Sequence, residues 1–410
     1  MQSHTFERGS VSIVEAWSLA EIHRGVQALL DRFQHRLPTR LDARIVLKPN
    51  LNNDLVALTG NCTDLRVLAA VIESLQHRGY SDITLADGSN VGIDRRGIGV
   101  FRRLRVDRLA ERYGVRLVDL NGDEGRTVVL CNGARPRIAR TILDADCLIS
   151  LPKVKTHTEA QLSCALKNWV GIVCGQDKRQ MHLDLCRNIF ALSEVVRPTL
   201  VLVDGLVGME GNGPGDGEPF RLGRLLACDD LYLNDLVVCR MVGLPWREVP
   251  YLQYAADAGY LDAELEGRVA DQVEIVRPIK RAPPRSVLAE LSEARSLTWL
   301  KQAVRPLVDL PGVSEKAYQL GIIQDVYSRD DDQVQAIVRA PDGCGDCRIC
   351  EDFCPTGLKA DEIGVRTEPE DCIGCLYCWW VCPKGVLDLD GPLNHLQRQV
   401  DRYKRTVERF

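Results

Sequence analysis

The sequence lacks any long apolar run: nowhere in its 410 residues is there a stretch near the roughly 18 to 20 hydrophobic residues of a membrane-spanning helix. Its first residues also lack the basic-then-apolar pattern of a secretion signal, and it contains no low-complexity segment. A hydrophobic content of 45% nevertheless provides ample material for a core. We therefore expect a folded cytoplasmic protein without a membrane span.

A basic excess is also missing. The formal net charge is −5, and residues 341–390 hold 11 acidic side chains against 4 basic ones. Because nucleic-acid phosphates are bound by basic stripes, this balance argues against a nucleic-acid partner. The acidic region can steer a basic redox partner protein, although a soluble acidic face explains the same charge equally well.

Cysteine, by contrast, is abundant and clustered. Eight of the sixteen cysteines lie between Cys344 and Cys382, and without an export signal such clustering favours a metal site over disulfides. They form two copies of C-x-x-C-x-x-C-x-x-x-C-P, offset by 28 residues. Three thiolates of each copy can bind one 4Fe-4S cluster, and the fourth binds the cluster of the other copy. We therefore assign one cluster to Cys344, Cys347, Cys350 and Cys382, and a second to Cys372, Cys375, Cys378 and Cys354.

This repeat resembles the bacterial ferredoxins that carry two clusters, and the resemblance implies an electron-transfer module. A zinc module is the alternative, but a zinc ion needs four ligands and has no use for the duplicated fourth cysteine and proline. The segments Ile363–Arg366 and Val386–Leu389 are predicted to form the small strands of this domain. Trp379 and Trp380 are expected to shield the clusters from water, with an electron route as the alternative.

Before the cysteines, about 280 residues alternate short β-branched runs with helical patterns. This alternation predicts an α/β domain with a mostly parallel sheet and flanking helices, followed by a small α+β ferredoxin-like domain. One predicted helix is Leu65–Arg78. The predicted strands are Arg44–Leu47, Asp82–Ala86, Val115–Val118, Cys147–Leu151, Thr199–Val203 and Val273–Val276.

A break at the consecutive prolines Pro283 and Pro284 separates these two regions. The sequence thus predicts four segments. They are an α/β domain at 1–280, a helical linker at 281–334, a ferredoxin domain with two 4Fe-4S clusters at 335–392, and a C-terminal helix at 393–410.

Polar motifs follow several predicted strands. In an open parallel sheet the carboxyl ends of the strands share one edge, where ligands bind. We therefore expect Lys48 and Asn50 to lie near the segment Lys153–His157, which follows the strand ending at Leu151. Taken singly, each lysine is better explained as a solvated surface charge, whereas their convergence favours a binding site.

A helix start is predicted directly after that segment, because Thr158–Gln161 has the pattern of a capping box. Lys153, Lys155 and His157 would then lie beside a helix amino terminus, which favours a bound anion. Lys167 and Asn168 would extend from the same helix toward the same edge. For His157 alone, a turn residue bonded to the backbone is the alternative.

The segment Asp204–Gly217 has six glycines among residues 205–217. Such a loop lets backbone atoms, here at Gly211 and Gly213, approach a ligand closely, and it can move as a lid. It matches neither G-x-G-x-x-G nor the phosphate-binding pattern G-x-x-x-x-G-K-[ST]. Asp204 and Glu210 can act as acid and base or bind a cation, with ordinary turn-forming roles as the alternative.

Together these motifs resemble the family catalogued as domain of unknown function 362, over residues 40–240 approximately. The resemblance implies a polar pocket, no established reaction, and frequent fusion to a ferredoxin module. Gly60-Asn-Cys-Thr63 departs from the family, which usually has a threonine-rich turn and a histidine there, so no role is assigned to an imidazole at that place. The matching motifs are Lys48-Pro-Asn50, Leu151-Pro-Lys-Val-Lys-Thr-His157, Leu166-Lys-Asn168 with Gly171, and Asp204-Gly with Met209-Glu-Gly and Gly213-Pro-Gly.

These observations favour an iron-sulfur oxidoreductase that passes electrons through two clusters to a small anionic substrate or cofactor. The alternative is a non-catalytic electron carrier whose α/β domain docks a partner enzyme. A lyase or isomerase with a cluster as Lewis acid is disfavoured, because full cysteine ligation leaves no open iron position. The catalytic candidates are His157, Lys155, Asp204 and Glu210, and the ligand-binding candidates are Lys48, Asn50, Lys153, Lys167, Asn168, Gly211 and Gly213.

Overall fold

The computed structural model describes residues 1–283, 330–340, 344–365 and 371–407. Most of the predicted helical linker 281–334, Arg366 and the last residues of the predicted C-terminal helix lie outside these ranges. Within them the strands are β1 (Gln2–Phe6), β2 (Gly9–Glu15), β3 (Ile45–Pro49), β4 (Ile83–Asp87), β5 (Arg116–Asp119), β6 (Gly125–Thr127), β7 (Arg137–Ala139), β8 (Cys147–Leu151), β9 (Lys153–His157), β10 (Gln161–Ser163), β11 (Leu200–Glu210), β12 (Glu218–Cys228), β13 (Ala336–Arg339) and β14 (Leu387–Asp390).

Ten strands form one mixed sheet in the order β1-β2-β12-β11-β8-β3-β4-β5, with β9 paired to β11 and β10 paired to β9. From β11 to β5 all neighbouring strands run parallel, and β9 is also parallel to β11. The strands β1, β2 and β12 add an antiparallel edge. The predicted α/β class with a mostly parallel sheet is therefore confirmed.

Helices cover both faces of this sheet. Alternation along β3 shows the two layers, because Ile45 and Leu47 enter one hydrophobic core and Val46 enters the other. The α-helices are Leu19–Arg32, Leu65–His77, Val91–Arg96, Val100–Arg103, Val106–Tyr113, Arg140–Leu143, Ala165–Asn168, Lys178–Met181, Leu185–Val195, Leu231–Met241, Pro250–Asp257, Ala263–Gln272, Ile349–Phe353, Tyr377–Trp380 and Gln397–Val407. In the described residues, none of them is long and apolar enough to cross a bilayer.

Five of the six predicted strands and the predicted helix at residue 65 are present. The strand predicted at Thr199–Val203 extends to Glu210, because β12 pairs with it along its length. The strand predicted at Val273–Val276 is wrong. Those residues leave the helix Ala263–Gln272 as irregular chain, and the amide of Val276 donates to the carbonyl oxygen of Met241 at 2.8 Å.

The cysteine-rich region forms a small domain with a two-stranded sheet. Its strand β14 coincides with the prediction at Val386–Leu389, but its partner is β13. The strand predicted at Ile363–Arg366 is wrong for its described part, since residues 363–365 form a turn.

The small domain packs against the α/β domain through a shared hydrophobic core. Phe353, Leu376, Tyr377 and Trp380 are buried in the same core as the helices Leu19–Arg32 and Leu65–His77. Trp379 packs against this core as well. The two regions are thus in direct contact, with the cysteine domain packed against these two helices.

Candidate functional site

Four cysteines of the small domain surround a cavity of about 160 Å³. They are Cys354, Cys372, Cys375 and Cys378, the set assigned to the second cluster from spacing. Burial raises the pKa of the Cys375 and Cys378 thiols. Thiolates at such a place need a positive centre to stabilise them, and iron supplies it. The residues present therefore fit an all-sulfur iron site.

The other four cysteines lie beside this set. Burial raises the pKa of Cys350, and the neighbouring Cys344 and Cys347 raise it further, whereas Arg339 lowers it. Cys350 in turn contributes to the raised pKa of Cys378, so the two sets adjoin each other. In the described part of the chain, no three His, Cys, Asp or Glu side chains are grouped so as to hold a metal ion. The cysteines of the second set instead line the cavity of about 160 Å³.

A second, larger cavity of about 400 Å³ lies in the α/β domain. It opens at the carboxyl ends of the parallel strands β3 and β4, which is the edge expected from the topology. Seven of the predicted residues line it, namely Lys48, Asn50, Lys155, His157, Lys167, Asn168 and Gly213.

Two asparagines connect the buried lysines of this crevice. The Nζ of Lys48 donates to the Oδ1 of Asn168 at 2.9 Å, and the Nδ2 of Asn50 donates to the same oxygen at 3.1 Å. The Oδ1 of Asn50 then accepts from the Nζ of Lys155 at 2.9 Å. These hydrogen bonds hold the ammonium groups of Lys48 and Lys155 in place, and the oxygens that accept them belong to the neutral amides of Asn168 and Asn50.

Close backbone approach shapes the other end of the crevice. The Nζ of Lys48 lies 2.6 Å from the Oδ1 of Asp87. A Cβ atom at Gly171 would be 2.6 Å from the Nζ of Lys48, and one at Gly88 would be 2.6 Å from the Nζ of Lys178. Only glycine fits at these two positions without moving a lysine.

Burial governs the charge of these lysines. It lowers the pKa of Lys155 to about 7 and that of Lys178 to about 8, because desolvation disfavours the charged form. It also lowers the pKa of Lys48, although the carboxylate of Asp87 opposes the effect. Lys155 is therefore able to hold or release a proton near neutral pH.

The predicted helix start after His157 is wrong. Lys153–His157 is the strand β9, which turns back into β10, and the helix begins later, at Ala165. The Nδ1 of His157 accepts hydrogen bonds from the amides of Glu159 and Ala160, at 3.1 and 3.2 Å, and so stabilises the turn itself. In its neutral form His157 consequently carries its proton on Nε2.

Four predicted residues do not line the crevice. Lys153 and Asp204 are fully buried and form an ion pair, with the Nζ of Lys153 2.7 Å from the Oδ2 of Asp204. Glu210 accepts hydrogen bonds from the Arg277 side chain at 3.1 Å and from the Lys280 amide at 2.9 Å. Gly211 donates its amide hydrogen to the carbonyl oxygen of Lys280 at 2.9 Å. Asp204 and Glu210 also lie in β11 and not in the expected loop.

Segment 61–66 joins the crevice to the cysteine domain. The carbonyl oxygen of Asn61 accepts from the Nζ of Lys155 at 3.0 Å, and the amide of Asp64 donates to Asp204 at 2.7 Å. The guanidinium of Arg66 lies 4.4 Å from the centroid of the Phe353 ring. This segment contains residues 61–63, where the sequence departs from the family pattern.

The glycine-rich turn at residues 211–217 forms one rim of the crevice. The Nδ2 of Asn61 donates to the carbonyl oxygen of Pro214. Arg402 of the C-terminal helix forms an ion pair with Asp216 and donates to its carbonyl oxygen at 2.7 Å. The helix that follows the cysteine domain therefore holds this rim in place.

Sequence reasoning missed Lys178, which lies on the short helix Lys178–Met181. Lys178 does not follow a predicted strand, so the rule that ligands bind at the carboxyl ends of strands could not identify it. Asp87 and Asn90 also line the crevice and were not among the predicted site residues, although both closely follow the strand predicted at Asp82–Ala86.

Comparisons with known proteins agree with this two-part organisation. Residues 45–240 match the model of a domain of unknown function (DUF362), and residues 336–384 match that of a 4Fe-4S dicluster domain. The thylakoid-associated protein sll1697 of Synechocystis sp. is 29% identical over 221 residues, covering 50% of this chain and 65% of that protein.

A sulfite dehydrogenase component of Allochromatium vinosum is 40% identical over 58 residues, covering 13% of this chain and 24% of that protein. The chain therefore spans less than two thirds of the length of either relative. Among solved structures, the lactate racemase apoprotein from Thermoanaerobacterium thermosaccharolyticum matches with a TM-score of 0.32 and 9% identity, covering 52% of this chain and 53% of that one.

Proposed function

Because this chain joins a domain of the DUF362 family to a 4Fe-4S dicluster domain, we propose that it is an iron-sulfur oxidoreductase. Its function is to reduce a small anionic substrate or cofactor in the crevice of the α/β domain. A separate redox protein supplies the electrons at the cysteine domain. The coarser part of this function, iron-sulfur electron transfer, follows from the dicluster domain itself.

The observation that carries the proposal is the short connection between the two sites. Segment 61–66 contacts Lys155 at one end and the cysteine domain at the other, where Arg66 donates to the carbonyl oxygen of Asp352 at 3.0 Å. Five residue steps span at most about 18 Å even when fully extended. A simple electron carrier has no need of a polar crevice so close to its cysteines.

The residues of the crevice have distinct roles in this proposal. Lys48 and Lys167 bind negative charge, and the amides of Asn168 and Asn50 hold the ammonium groups of Lys48 and Lys155 in place. Lys155 donates a proton to the reduced substrate, since burial lowers its pKa to about 7. His157 offers its Nε2 hydrogen to a substrate oxygen. Lys153 and Asp204 position segment 61–66 and do not touch the substrate.

When bound, the two clusters would supply two electrons one at a time. Reducing one double bond of the substrate consumes these two electrons and two protons. Lys155 provides one proton, and solvent water at the open crevice provides the second and then reprotonates Lys155, while the Nε2 hydrogen of His157 stays hydrogen-bonded to the substrate oxygen.

The test uses anaerobically prepared full-length protein reduced with dithionite. Each candidate anion is added to a separate sample. The candidates are small organic anions with a reducible bond, such as 2-oxo acids and enoates, and the inorganic anions sulfite and nitrite. We expect one class to restore the oxidised visible spectrum, and Lys155→Met to slow this step at least about 100-fold, the lower end of what a general acid contributes.

Transfer to a one-electron acceptor protein serves as the control, because it bypasses the crevice. If that transfer proceeds while no anion reoxidises the protein, the chain is an electron carrier and the oxidoreductase proposal is wrong.

A further inference from the structure

The cavity that the second cysteine set surrounds is lined by an arginine that belongs to the α/β domain. This residue, Arg105, directly precedes the helix Val106–Tyr113. Among the described residues of the lining, the other charged side chain is that of Glu362, whose carboxylate accepts from the amide of Lys359 at 2.9 Å. The positive charge at this cavity therefore comes from outside the cysteine domain.

The helix that follows Arg105 packs against the loop that carries Cys372. The Nη1 of Arg112, near the end of this helix, lies 2.5 Å from the Oδ1 of Asp371. At the start of the helix, the Nε of Arg105 lies 4.0 Å from the position that a Cβ atom would have at Gly374. Because Asp371 and Gly374 are close to Cys372 in sequence, these contacts hold the guanidinium of Arg105 close to a predicted iron ligand.

The backbone at Arg105 also marks this contact. Its φ angle is +60°, in the left-handed region that residues other than glycine rarely adopt. Leu376, in the loop of the second cysteine set, has a φ angle of +63°. Such conformations persist where surrounding contacts fix them, and they are concentrated at functional sites. The two residues face the same domain boundary from opposite sides, and both line the cavity.

The charge of Arg105 acts on the thiol of Cys372. Burial raises the pKa of this thiol, whereas the backbone at Gly374 and the guanidinium of Arg105 lower it. A positive charge that favours the thiolate also favours any further negative charge placed in the same cavity. In the part of the chain that the structure describes, Arg105 has no hydrogen-bond or ion-pair partner.

The acids near Arg105 are bound to other groups. Arg105 lowers the pKa of Asp332, against the larger effect of burial, which raises it. The Oδ2 of Asp332 lies 3.0 Å from the Nδ1 of His395, and its Oδ1 accepts from the amide of Asn394 at 2.6 Å. The neighbouring Asp331 pairs with the arginines at positions 102 and 103. Neither acid forms an ion pair with Arg105.

We propose that the α/β domain supplies Arg105 to the second cluster and thereby raises the reduction potential of that cluster. A cluster bound by four thiolates gains one negative charge on reduction, and a nearby positive charge stabilises the reduced state more than the oxidised state. Arg105 is a tuning residue, which neither binds iron nor touches the substrate. The inference requires two bound clusters but no reaction in the crevice.

The first cluster has an arginine from its own domain. Arg339 lies on β13, and its Nε donates to the carbonyl oxygen of Ile363 at 2.8 Å. Burial raises the pKa of Cys350, and Arg339 lowers it. The two arginines therefore act on different clusters, so replacing each one separately identifies the potential that belongs to each cluster.

The test is a potentiometric titration of anaerobically prepared full-length protein without substrate, in which EPR spectroscopy follows the reduced clusters. Arg105→Met should lower the equilibrium constant for reduction of one cluster about tenfold, equivalent to about 59 mV for a one-electron couple, and leave the other cluster unchanged. Arg339→Met should lower the potential of the other cluster. Arg105→Lys keeps the positive charge and should retain most of the wild-type potential.

Arg108→Met is the matched control, because Arg108 lies on the same helix, is exposed and pairs with Glu111. It should change neither potential. Arg105→Gln repeats the loss of charge with a polar side chain, so that the test does not depend on one variant, and assays of iron and acid-labile sulfide show which variants retain both clusters. Unchanged potentials in the methionine and glutamine variants would overturn the proposal. So would a lysine variant whose potential falls as far as theirs, since a loss of charge would then not be the cause.

This inference and the oxidoreductase proposal fail separately. A potential that depends on the charge at Arg105, with no anion that reoxidises the protein, leaves this inference standing and removes the oxidoreductase function. Reoxidation by an anion, with potentials that do not respond to Arg105, does the reverse.

Discussion

Arg66 donates a hydrogen bond of 3.0 Å from its Nη1 to the carbonyl oxygen of Asp352, a residue of the small domain close to Cys354. The same guanidinium is fully buried and binds both carboxylate oxygens of Asp64, with Nη2 2.8 Å from Oδ2 and Nε 3.1 Å from Oδ1. Asp64 in turn donates its amide to Asp204, the partner of Lys153. One buried charge network therefore links the cysteine domain to the strand that carries Lys155.

Replacing Arg66 by leucine should destabilise the protein strongly. The change leaves Asp64 buried without its partner, which costs about 3–5 kcal/mol for a buried pair. Denaturant unfolding under anaerobic conditions measures the loss. Arg24→Leu is the control, since Arg24 is exposed, and its effect should stay within about 0.5 kcal/mol. Equal stabilities of the two variants would show that the network does not join the domains.

Replacing Cys375 by serine should remove about half of the bound iron and sulfide, because one of the four thiolates around the small cavity is lost. Iron and acid-labile sulfide are assayed on anaerobically prepared protein. Cys131→Ser is the comparison, since Cys131 belongs to neither set and should retain all the iron. A full complement of iron in Cys375→Ser would disprove the assignment of ligands.

Gly171→Ala should weaken binding of the best anionic probe. The added methyl group would collide with the Asp87 carboxylate and lie 2.6 Å from the Nζ of Lys48, so it would displace this ion pair at a cost of about 1–3 kcal/mol for overpacking a filled site. Calorimetric titration provides the measurement. Gly267→Ala introduces the same methyl group into open space on the helix Ala263–Gln272 and should leave affinity unchanged. Similar affinities for both alanine variants would mean that Lys48 is not a ligand-binding group.

Lys155→Met should change how stability depends on pH. The pKa of Lys155 is about 7 in the folded protein against an ordinary 10.5, so between these values the unfolded chain binds more protons. Stability of the wild type must then rise with pH across that window, and the burial cost is largest below pH 7. The variant lacks this contribution, so its melting temperature relative to wild type should fall as the pH increases.

Melting curves recorded from below pH 7 to about pH 10 follow this difference. Lys359 is exposed, so Lys359→Met is the matched control. Its melting temperature should differ from that of wild type by the same amount at every pH. Parallel curves for Lys155→Met as well would show that its pKa is not lowered by burial.

Much of this arrangement could be predicted from local patterns. The cysteine sets follow from spacing, and most strands follow from runs of β-branched residues. Lys48, Asn50 and Asn168 follow from the rule that ligands bind at the carboxyl ends of parallel strands. These features depend on neighbours in sequence or on a general property of the fold.

The remainder depends on contacts that sequence does not show. Thr158–Gln161 has the letters of a capping box, but pairing between β9 and β10 overrides that local preference. Lys153 is separated from Asp204 by 51 residues, and Arg66 from Asp352 by 286, so neither contact has a local signal. Lys178 enters the crevice only because the fold returns its short helix to the sheet edge.

The shared core of Phe353, Tyr377 and Trp380 with the helices of the α/β domain makes the two parts interdependent. Neither part can be cut away without exposing apolar side chains of the other to water, and the loss of Gln397–Val407 would also remove Arg402 from the rim of the crevice. Removing the iron should therefore lower the melting temperature of the whole protein, which should still unfold in one cooperative transition. Loss of iron from the cysteines would thus also destabilise the anion site.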